Sequence, residues 1–379
     1  MLIYESDVLS DIRTQARRFV EERVVPHADE WEEEGLVPRQ VMTQMGDLGF
    51  FSLGVSEADG GLGLGAVASA ILAEELGRST YGGFAITAIA HVDLAMRYLL
   101  GSGSPTQKER WLPGLMAGTL VGALGVTEPD AGSDVAGMRT TAKRDGDGFL
   151  INGAKMYITN GVHADVVFVA ARTNPDAKAS RGISIFGVEK GTEGFEVSRA
   201  LRKMGWKSSD TAELSFQDCW VPESNVLGDL DSGFYQIMRN FQHERLVLGA
   251  MALGESSRAI ELTLEYTKNR MAFGEPLWTK QAIRQRLAMR AAEVEAARQL
   301  IYHAAWLIDQ GNDAVAEVSM VKAFMGELTN RVLYDCVQFH GGMGYISETA
   351  VERMFRDARI HSIGGGATEV MLEEIAKRL

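Results

Sequence analysis

Cysteine is scarce in this chain of 379 residues: there are only two, Cys219 and Cys336, and they lie far apart in the sequence. Two isolated cysteines exclude a disulfide framework and any zinc or iron–sulfur site built on a CxxC motif. We therefore predict a reducing, cytoplasmic setting and no metal centre.

Basic residues are also in deficit, with 38 Lys and Arg against 51 Asp and Glu and a formal net charge of −13. An acidic surface repels phosphate backbones and anionic lipid headgroups, so nucleic acid and membrane surfaces are not expected as main partners. A basic pocket for one anionic ligand stays compatible with this charge.

No segment has the composition of a leader or of a membrane span. The N-terminal sequence MLIYESDVLSDIR has no basic region followed by an apolar stretch, and its acidic residues argue against a mitochondrial leader. The longest uncharged run, 111–127, contains Pro113 and four glycines and is too short for a transmembrane helix. With 46% hydrophobic residues, the chain has the composition of a globular protein of two or three domains.

Proline is rare, with eight residues, and its distribution marks two long helical regions: none lies between positions 39 and 104, and only Pro276 follows Pro222. Within both regions apolar residues recur at the helical period, which predicts ordinary core-facing helices. These residues are Leu9, Ile12, Ala16, Phe19 and Val20 in the first region and Val318, Val321, Met325, Leu328 and Val332 in the second.

Between these regions the apolar period changes from that of a helix to that of a strand. Phe149 and Ile151 alternate with polar residues, Asn152-Gly153 predicts a hairpin turn, and 211–217 alternates in the same way. This pattern is typical of an antiparallel, half-buried sheet. We thus predict a mostly α-helical protein with a small central antiparallel β domain. The expected domains are 1–120 (helical), 121–230 (β) and 231–379 (helical).

A glycine-rich segment at Gly61, Gly63 and Ala66 matches the G-x-G-x-x-A pattern of a dinucleotide-binding turn. That fingerprint requires the glycines directly after a strand and an acidic residue about 20 positions later. In this chain, polar residues and glycines separate the strand-like run from the glycine motif. Positions 80–92, where the acidic residue of the fingerprint would lie, contain no Asp or Glu. We interpret the segment as a glycine loop that leads into a helix rather than as a Rossmann motif.

Two later motifs bring hydroxyl groups and an aromatic ring to the edge of the expected sheet. GVTEPDAGSD, 125–134, offers Thr127 and Ser133, whose hydroxyls can bind a polar ring or a phosphate. The following KMYITNG places Tyr157 two residues from Thr159 on one face of a strand. This pairing suits a flat heteroaromatic ligand, whereas the first motif alone is equally typical of a surface loop.

These motifs resemble those of the acyl-CoA dehydrogenase family of flavoproteins. The chain is similar to the family also in KMGWKSSDTAELSFQDCWVPESNVLG, NRMAFGEPL, VQFHGGMGY and MFRDARIHSIGGGATEVM, in the family's order and over nearly its whole length. The resemblance implies an N-terminal helical domain, a β domain and a C-terminal four-helix domain. It also implies FAD in the cleft between them and subunits that pair into homotetramers.

The resemblance further implies which residues bind FAD. Tyr157 stands where the family more often has tryptophan, which reduces the stacking area. Ala367 stands where a flavin-contacting threonine is common, a role that Thr368 is expected to take. Some of the aligned residues bind FAD across a subunit boundary. The cofactor-binding set is Leu124, Val126, Thr127, Ser133, Tyr157, Thr159, Arg270, Phe273, Gln281, Gln338, Gly341, Gly342, Thr368 and Glu369.

The position of the catalytic base departs from the commoner family pattern. Most members carry a glutamate before a Gly-Thr pair in the C-terminal loop, whereas this chain has Gly365 there. The isovaleryl and long-chain branches carry it on a helix of the C-terminal domain, and the segment FQHERLVLG places Glu244 at that position. We therefore predict Glu244 as the base. The alternatives are that Glu244 is an exposed helix residue paired with Arg245, or that the base is Glu369, which aligns rather with a flavin contact or a helix cap.

The reaction implied by the resemblance removes an α-proton from an acyl-CoA thioester while the flavin takes a hydride from the β-carbon. An apolar pocket would raise the pKa of Glu244 towards neutral pH. The backbone N–H of Gly365 and a flavin hydroxyl are expected to polarise the thioester oxygen, a role that needs no side chain. Arg245, alternatively a structural salt-bridge residue, and Ser133 are expected to contact the substrate. Gln242 replaces a common aspartate and puts one contact to the pantetheine in doubt.

The sequence therefore predicts an FAD-dependent acyl-CoA dehydrogenase of fatty acid β-oxidation that forms trans-2-enoyl-CoA and passes electrons to an electron-transfer flavoprotein. Two alternatives remain on the same fold: a flavin monooxygenase or oxidase, against which Glu244 argues, and a non-catalytic acyl-CoA-binding protein. The length and branching of the acyl chain stay open, because one sequence does not place the side chains that line its pocket.

Overall fold

A computed structural model describes residues 6–178 and 180–379 of the chain. Residues 1–5, part of the N-terminal sequence in which we expect no leader, lie outside the described residues. Along the described chain a group of helices is followed by a β-sheet and then by a second group of long helices. The prediction of a mostly α-helical protein with a central β domain is confirmed.

The first group of helices forms where the apolar stripe predicts it. The Ser6 side chain caps α1 by accepting a hydrogen bond from the Leu9 N–H, and α1 buries Ile12, Ala16 and Phe19. The helices of this group are Asp7–Phe19 (α1), Ala28–Glu34 (α2), Arg39–Asp47 (α3), Gly65–Gly77 (α4), Gly82–Ile89 (α5), Met96–Ser102 (α6) and Pro105–Met116 (α7).

The glycine-rich segment leads into α4, as expected. The run before it forms a 3₁₀ turn at Phe50–Ser52 rather than a strand, so the geometry that a Rossmann motif requires is missing.

One helical stretch of the described chain, Gly82–Ser102, is long and apolar enough to cross a membrane by length and composition. It comprises α5, a π-helical turn at Ala90–Ala95 and α6. Of its apolar window, 78% is buried inside the protein, which is typical of a core helix.

The central sheet has eight strands in the described chain, arranged in the order β6-β7-β3-β2-β4-β5-β8 with β1 beside β4. Its pairs are antiparallel except that β1 runs parallel to β4 and β2 meets β4 in parallel at one residue pair. The expectation of an antiparallel sheet is therefore correct for most of it and wrong for β1. The strands are Gly122–Gly125 (β1), Thr141–Asp145 (β2), Gly148–Thr159 (β3), Val166–Arg172 (β4), Ile183–Glu189 (β5), Phe195–Ala200 (β6), Thr211–Pro222 (β7) and Val226–Leu227 (β8).

The predicted hairpin turn at Asn152-Gly153 is wrong, because both residues lie inside β3. The hairpin lies earlier, where Asp145 pairs with Gly148 across Gly146 and Asp147. At Gly153 the register of β3 against β7 shifts by a bulge, which uses the same glycine freedom that a turn would need.

Strands β4 and β5 belong to two cores. On β4, Val167 and Val169 face a core inside the sheet, whereas Val166 and Phe168 face the core formed by the helices. A strand buried on both faces has an unbroken apolar sequence, and β4 accordingly reads VVFVAA before Arg172. The sheet is thereby fixed against the helices on one side.

The second group of helices follows the sheet. Its longest member, α8, packs against α4, α9 and α10, and the apolar stripe predicted on α10 is buried throughout. A short hairpin, Met271–Ala272 (β9) with Glu275–Pro276 (β10), separates the first two long helices. The helices are Gly233–Asn269 (α8), Gln281–Asp309 (α9), Val315–His340 (α10), Ala350–Ala358 (α11) and Thr368–Ala376 (α12).

Candidate active site

Glu244 lies inside the protein on α8 and is 8% exposed. The residues that follow it, Leu246 to Leu248, are buried in the core that α8 shares with the neighbouring helices. Burial raises the pKa of Glu244 to about 7, and the charges of Arg245 and Lys322 partly oppose this rise. The alternative of an exposed helix glutamate is therefore wrong.

Gly365 lies directly beside the Glu244 carboxylate. A Cβ atom added at Gly365 would be 3.4 Å from Glu244 Oε1 and 2.4 Å from Leu248 Cδ1, and the residue has a φ of +66°. A side chain at position 365 and the Glu244 side chain thus point into the same volume. This shared volume is a geometric reason for the acid to be present on the helix and absent from the loop.

Arg245 is half-buried and close to the same loop. Its guanidinium lies 5.2 Å from the centre of the Phe241 ring, and its Nε lies 3.3 Å from where a Cβ of Gly366 would be. That Nε is buried and has no hydrogen-bond partner among the described residues. Burial lowers the pKa of Arg245, against the opposing charges of Glu244 and Glu374. An unpaired buried donor beside the carboxylate suits a polar ligand better than a structural salt bridge.

Thr368 and Glu369 begin α12, close to the loop that contains Gly365. The Thr368 hydroxyl lies 3.2 Å from Glu327 Oε1 and 3.5 Å from the carbonyl of Ser362. Glu369 is exposed, and no side chain of the described residues caps the start of α12, so of the two roles expected of Glu369, a flavin contact or a helix cap, the cap is not seen.

The loop 125–134 is tied to β3 through buried polar contacts. The Met156 N–H donates to the carbonyl of Thr127 at 2.9 Å, and the Lys155 ammonium donates to Val126 O at 3.3 Å and to Glu128 Oε1 at 2.7 Å. Glu128 also accepts from the backbone N–H groups of Arg139 and Thr140, just before β2. The structure therefore brings Thr127 close to the segment of Tyr157, as the motifs predict.

Tyr157 lies at a bulge of β3 with a φ of +63° and is 67% exposed. The neighbouring Ile158 is buried, whereas Thr159 is half-buried. An exposed ring held on a strained strand residue is available to stack on a ligand. Of the other residues predicted in this part, Leu124 is half-buried on β1, Val126 is buried, Thr127 is half-buried and Ser133 is exposed.

The remaining predicted cofactor residues lie together at the C-terminal ends of α8 and α10 and the N-terminal end of α9. The rings of Tyr266 and His340 stack 4.3 Å apart, and the Tyr266 hydroxyl donates to the carbonyl of His340. This contact joins the segments that carry the predicted residues. They are Arg270, Phe273, Gln281, Gln338, Gly341 and Gly342, all exposed.

This second cluster has the features of an open binding surface. The Phe273 ring is 97% exposed at the tip of the β9–β10 hairpin. A Cβ at Gly341 or Gly342 would meet nothing within 4 Å, so a ligand can approach their backbone closely. Gln281 is the first residue of α9, where helix N–H groups favour an anion such as a pyrophosphate.

The two clusters together fit FAD. Tyr157 offers an exposed ring for a heteroaromatic system, Thr127 and Thr159 offer hydroxyls, and Arg270 offers a guanidinium to a pyrophosphate. No group of three His, Cys, Asp or Glu side chains that could hold a metal ion occurs in residues 6–178 and 180–379.

Two residues near Glu244 are missing from the sequence-based set. The buried hydroxyl of Tyr98, on α6, has no hydrogen-bond partner in the described chain, and burial and then the Glu244 charge raise its pKa. Lys322, on α10, is 3% exposed, and its ammonium donates to the carbonyls of His361 and Gly366. A lysine within the apolar run MVKAF is the one signal that could have indicated Lys322, whereas Tyr98 looks like an ordinary core aromatic.

Three sequence profiles of one family match the chain. They describe the N-terminal, middle and C-terminal domains of acyl-CoA dehydrogenase and match residues 6–119, 123–219 and 231–379.

Two related proteins are named as long-chain and isovaleryl-CoA dehydrogenases. The mitochondrial long-chain specific acyl-CoA dehydrogenase of Sus scrofa is 40% identical over 370 residues, covering 97% of this chain and 85% of the pig protein. The mitochondrial isovaleryl-CoA dehydrogenase of Pongo abelii is 36% identical over 368 residues, covering 96% and 87%.

Solved structures match over almost the full length of the chain. A probable acyl-CoA dehydrogenase from Mycobacterium abscessus is 41% identical with a TM-score of 0.96, and 99% of each chain is covered. The FAD complex of PigA is 31% identical with a TM-score of 0.95, covering 100% of this chain and 99% of PigA. The chain therefore belongs to the acyl-CoA dehydrogenase family, with long-chain and isovaleryl-CoA dehydrogenases among its relatives, and is an FAD-binding oxidoreductase that acts on CH–CH bonds.

Proposed function

We propose that this protein catalyses the α,β-dehydrogenation of an acyl-CoA thioester to a trans-2-enoyl-CoA, with Glu244 as the base. The observation that carries the proposal is the buried carboxylate of Glu244 beside the backbone of Gly365, in a volume that a side chain at position 365 would otherwise enter. An acid that is buried and titrates near neutral pH is suited to accept a weakly acidic proton.

Each residue of this site has a separate part in the proposed reaction. Glu244 accepts the proton from the α-carbon, and the Gly365 N–H donates to the thioester oxygen, where negative charge develops. Arg245 and Ser133 bind the CoA part of the substrate, for which the unpaired Arg245 Nε is a free donor. The apolar surroundings of Glu244 exclude water and strengthen these interactions.

FAD, when bound, supplies the acceptor for the hydride that leaves the β-carbon. The first cluster, with Thr127, Tyr157 and Thr159, holds the ring system, assisted by Leu124, Val126, Ser133, Thr368 and Glu369. The second cluster, with Arg270, Phe273, Gln281, Gln338, Gly341 and Gly342, binds the pyrophosphate and adenosine of FAD, and some of these residues do so across a subunit boundary. The exposure of the whole second cluster supports a homotetramer in which a partner covers it.

Electrons pass to an electron-transfer flavoprotein, and the protein acts in the cytoplasm on fatty or branched acyl-CoA substrates. The names of the relatives support acyl-CoA substrates of this kind. They include the butyryl-CoA dehydrogenase of Megasphaera elsdenii, a long-chain specific acyl-CoA dehydrogenase and an isovaleryl-CoA dehydrogenase. Long straight, short straight and branched acyl chains all remain candidate substrates.

We further propose that the chain is divided into the domains 1–120, 121–230 and 231–379.

The test is anaerobic titration of the FAD-loaded protein with a panel of acyl-CoA thioesters, read from the flavin absorbance. A dehydrogenase bleaches with its substrate and is reoxidised rapidly by a carrier flavoprotein but only slowly by oxygen. Rapid reoxidation by oxygen would indicate an oxidase or monooxygenase instead. Normal thioester binding without bleaching, unaltered in Glu244→Gln, would indicate a non-catalytic binding protein.

A further inference from the structure

We propose that Lys322 is a positioning residue of this reaction: it fixes the turn that carries the Gly365 N–H against α10 and opposes the charge of Glu244 from the facing helix. The proposal rests on the proposed function, because it gives Lys322 its meaning through Glu244 and Gly365. Lys322 lies 78 residues from Glu244 in the sequence and belongs to no motif used above.

The ammonium of Lys322 clamps residues 361–366, which we name the glycine turn. It donates to the carbonyl of His361 at 2.6 Å and to the carbonyl of Gly366 at 3.1 Å, so both ends of the glycine turn are held by one group. Gly365 lies between these contacts, and a Cβ there would be 3.6 Å from Lys322 Cε and 3.4 Å from Glu244 Oε1. The backbone N–H of Gly365, which we expect to donate to the thioester oxygen, is thus held from the side of α10.

The glycine turn needs such a clamp because of its composition. Gly364, Gly365 and Gly366 follow one another, and the last two have φ values of +66° and +107°. Consecutive glycines have large conformational freedom, which must be removed before a backbone N–H can be aimed at a developing charge. A misplacement of about 1 Å at such a donor lowers rates by about 10²-fold.

The charge of Lys322 also acts on the base. The groups that face Glu244 are Arg245 on the same helix, Lys322 on α10 and the neutral hydroxyl of Tyr98 on α6. Among the described residues Lys322 forms no direct ion pair with Glu244, so the proton-accepting oxygens stay free. Burial lowers the pKa of Lys322 to about 8. The negative charge of Glu244 raises this pKa, and the positive charge of Arg245 lowers it by a smaller amount. The ammonium therefore stays charged at the pH at which Glu244 becomes basic.

A purely structural tie is the alternative, since any buried lysine must find acceptors. A structural tie would affect folding and flavin content but would leave the pH dependence of the reaction unchanged. A positioning role changes the rate of proton abstraction and its acid limb while the Kd of the acyl-CoA stays the same.

The experiment compares Lys322→Met and Lys322→Arg with the wild-type holoenzyme by anaerobic stopped-flow reduction of the flavin, using the acyl-CoA that bleaches it, from pH 5.5 to 9. For Lys322→Met we expect a limiting reduction rate lower by about 10- to 100-fold. Loss of a nearby opposite charge should also move the acid limb up by about one pH unit. Lys322→Arg keeps the charge, so its acid limb should stay at the wild-type position while its rate is only partly restored.

Lys108→Met is the matched control, because Lys108 is a half-buried lysine that pairs with Asp59 at 2.9 Å in the first group of helices. It should change neither the rate nor the acid limb. The proposal is overturned if folded Lys322→Met reduces its flavin like Lys108→Met. If Lys322→Met does not fold, an acid limb displaced upwards in Lys322→Arg overturns it instead. Full activity in Glu244→Gln would refute the proposed base, whereas an inactive Glu244→Gln beside a fully active Lys322→Met would refute only the role of Lys322.

Discussion

Replacing Glu244 with Gln should raise the stability of the protein and lower its activity by orders of magnitude, and the gain in stability should depend on pH. The pKa of Glu244 rises from 4.5 to about 7 on folding, because the carboxyl group is buried. The folded protein therefore binds this proton more tightly than the unfolded chain does. The resulting stability is fully present below pH 4.5 and is lost as the pH rises through 7.

Glutamine resembles the protonated acid and does not titrate, so the variant avoids this loss. A difference of about 2.5 pKa units, at 1.36 kcal/mol per unit, gives the variant an advantage of about 3 kcal/mol at pH 8. The advantage should shrink to near zero at pH 4. Removing the base should at the same time lower the rate of flavin reduction by about 10²- to 10⁴-fold. In the wild type, kcat/KM should rise with pH through about 7, the pKa of the free base.

The assay is thermal unfolding of the two holoproteins at a series of pH values, with the difference in apparent melting temperature as the readout. Glu261→Gln is the control. Partial burial raises the pKa of Glu261, but Arg78 and Arg258 together lower it by more, so its net shift is downward. Replacing the Glu261 carboxylate should therefore bring no gain in stability at high pH. A Glu244→Gln variant whose advantage is the same at pH 5 and pH 8 would refute a buried, titrating Glu244. A variant that still reduces its flavin at the wild-type rate would refute its role as base.

Three further predictions concern other parts of the structure. Gly365→Ala, with a Cβ 2.4 Å from the nearest side-chain carbon, should lower both the melting temperature and the rate of flavin reduction. Gly146→Ala, with a φ of +60° and no atom within 4 Å of the Cβ, should lower the melting temperature less and leave the rate unchanged; equal rates in both variants would contradict this. Lys155→Met leaves the buried Glu128 without its cation, a loss of about 3–5 kcal/mol, and should lower the flavin-to-protein absorbance ratio; an unchanged ratio would contradict a role in the flavin loop. Phe273→Asp should give a smaller assembly in light scattering, and an unchanged mass would show that no partner covers this ring.

Much of the fold follows from local patterns in the sequence. Apart from the half-buried Leu9, the stripes on α1 and α10 are buried as their period indicates, since a helix that places its apolar residues on one face has only that face to bury. The family resemblance of the motifs is confirmed over nearly the whole chain, at residues 6–119, 123–219 and 231–379.

Where a pattern has two physical solutions, the sequence was misleading. Asn152-Gly153 has the composition of a hairpin turn, yet the same glycine freedom serves a bulge inside β3, and only the pairing with β7 distinguishes the two. The parallel position of β1 is likewise invisible locally, because alternation describes a strand's faces and not the direction of its neighbour.

The sequence by itself determined that position 244 carries an acid and that position 365 does not. The identity of each residue and its position in the family motifs suffice to establish this. Only the tertiary structure decided that the two share one volume and that Lys322 closes it from α10. The binary pattern of a helix specifies which face is buried but not which residue of another helix meets it. The proton affinity of Glu244 depends on that meeting, since burial and facing charges exist only in the folded protein.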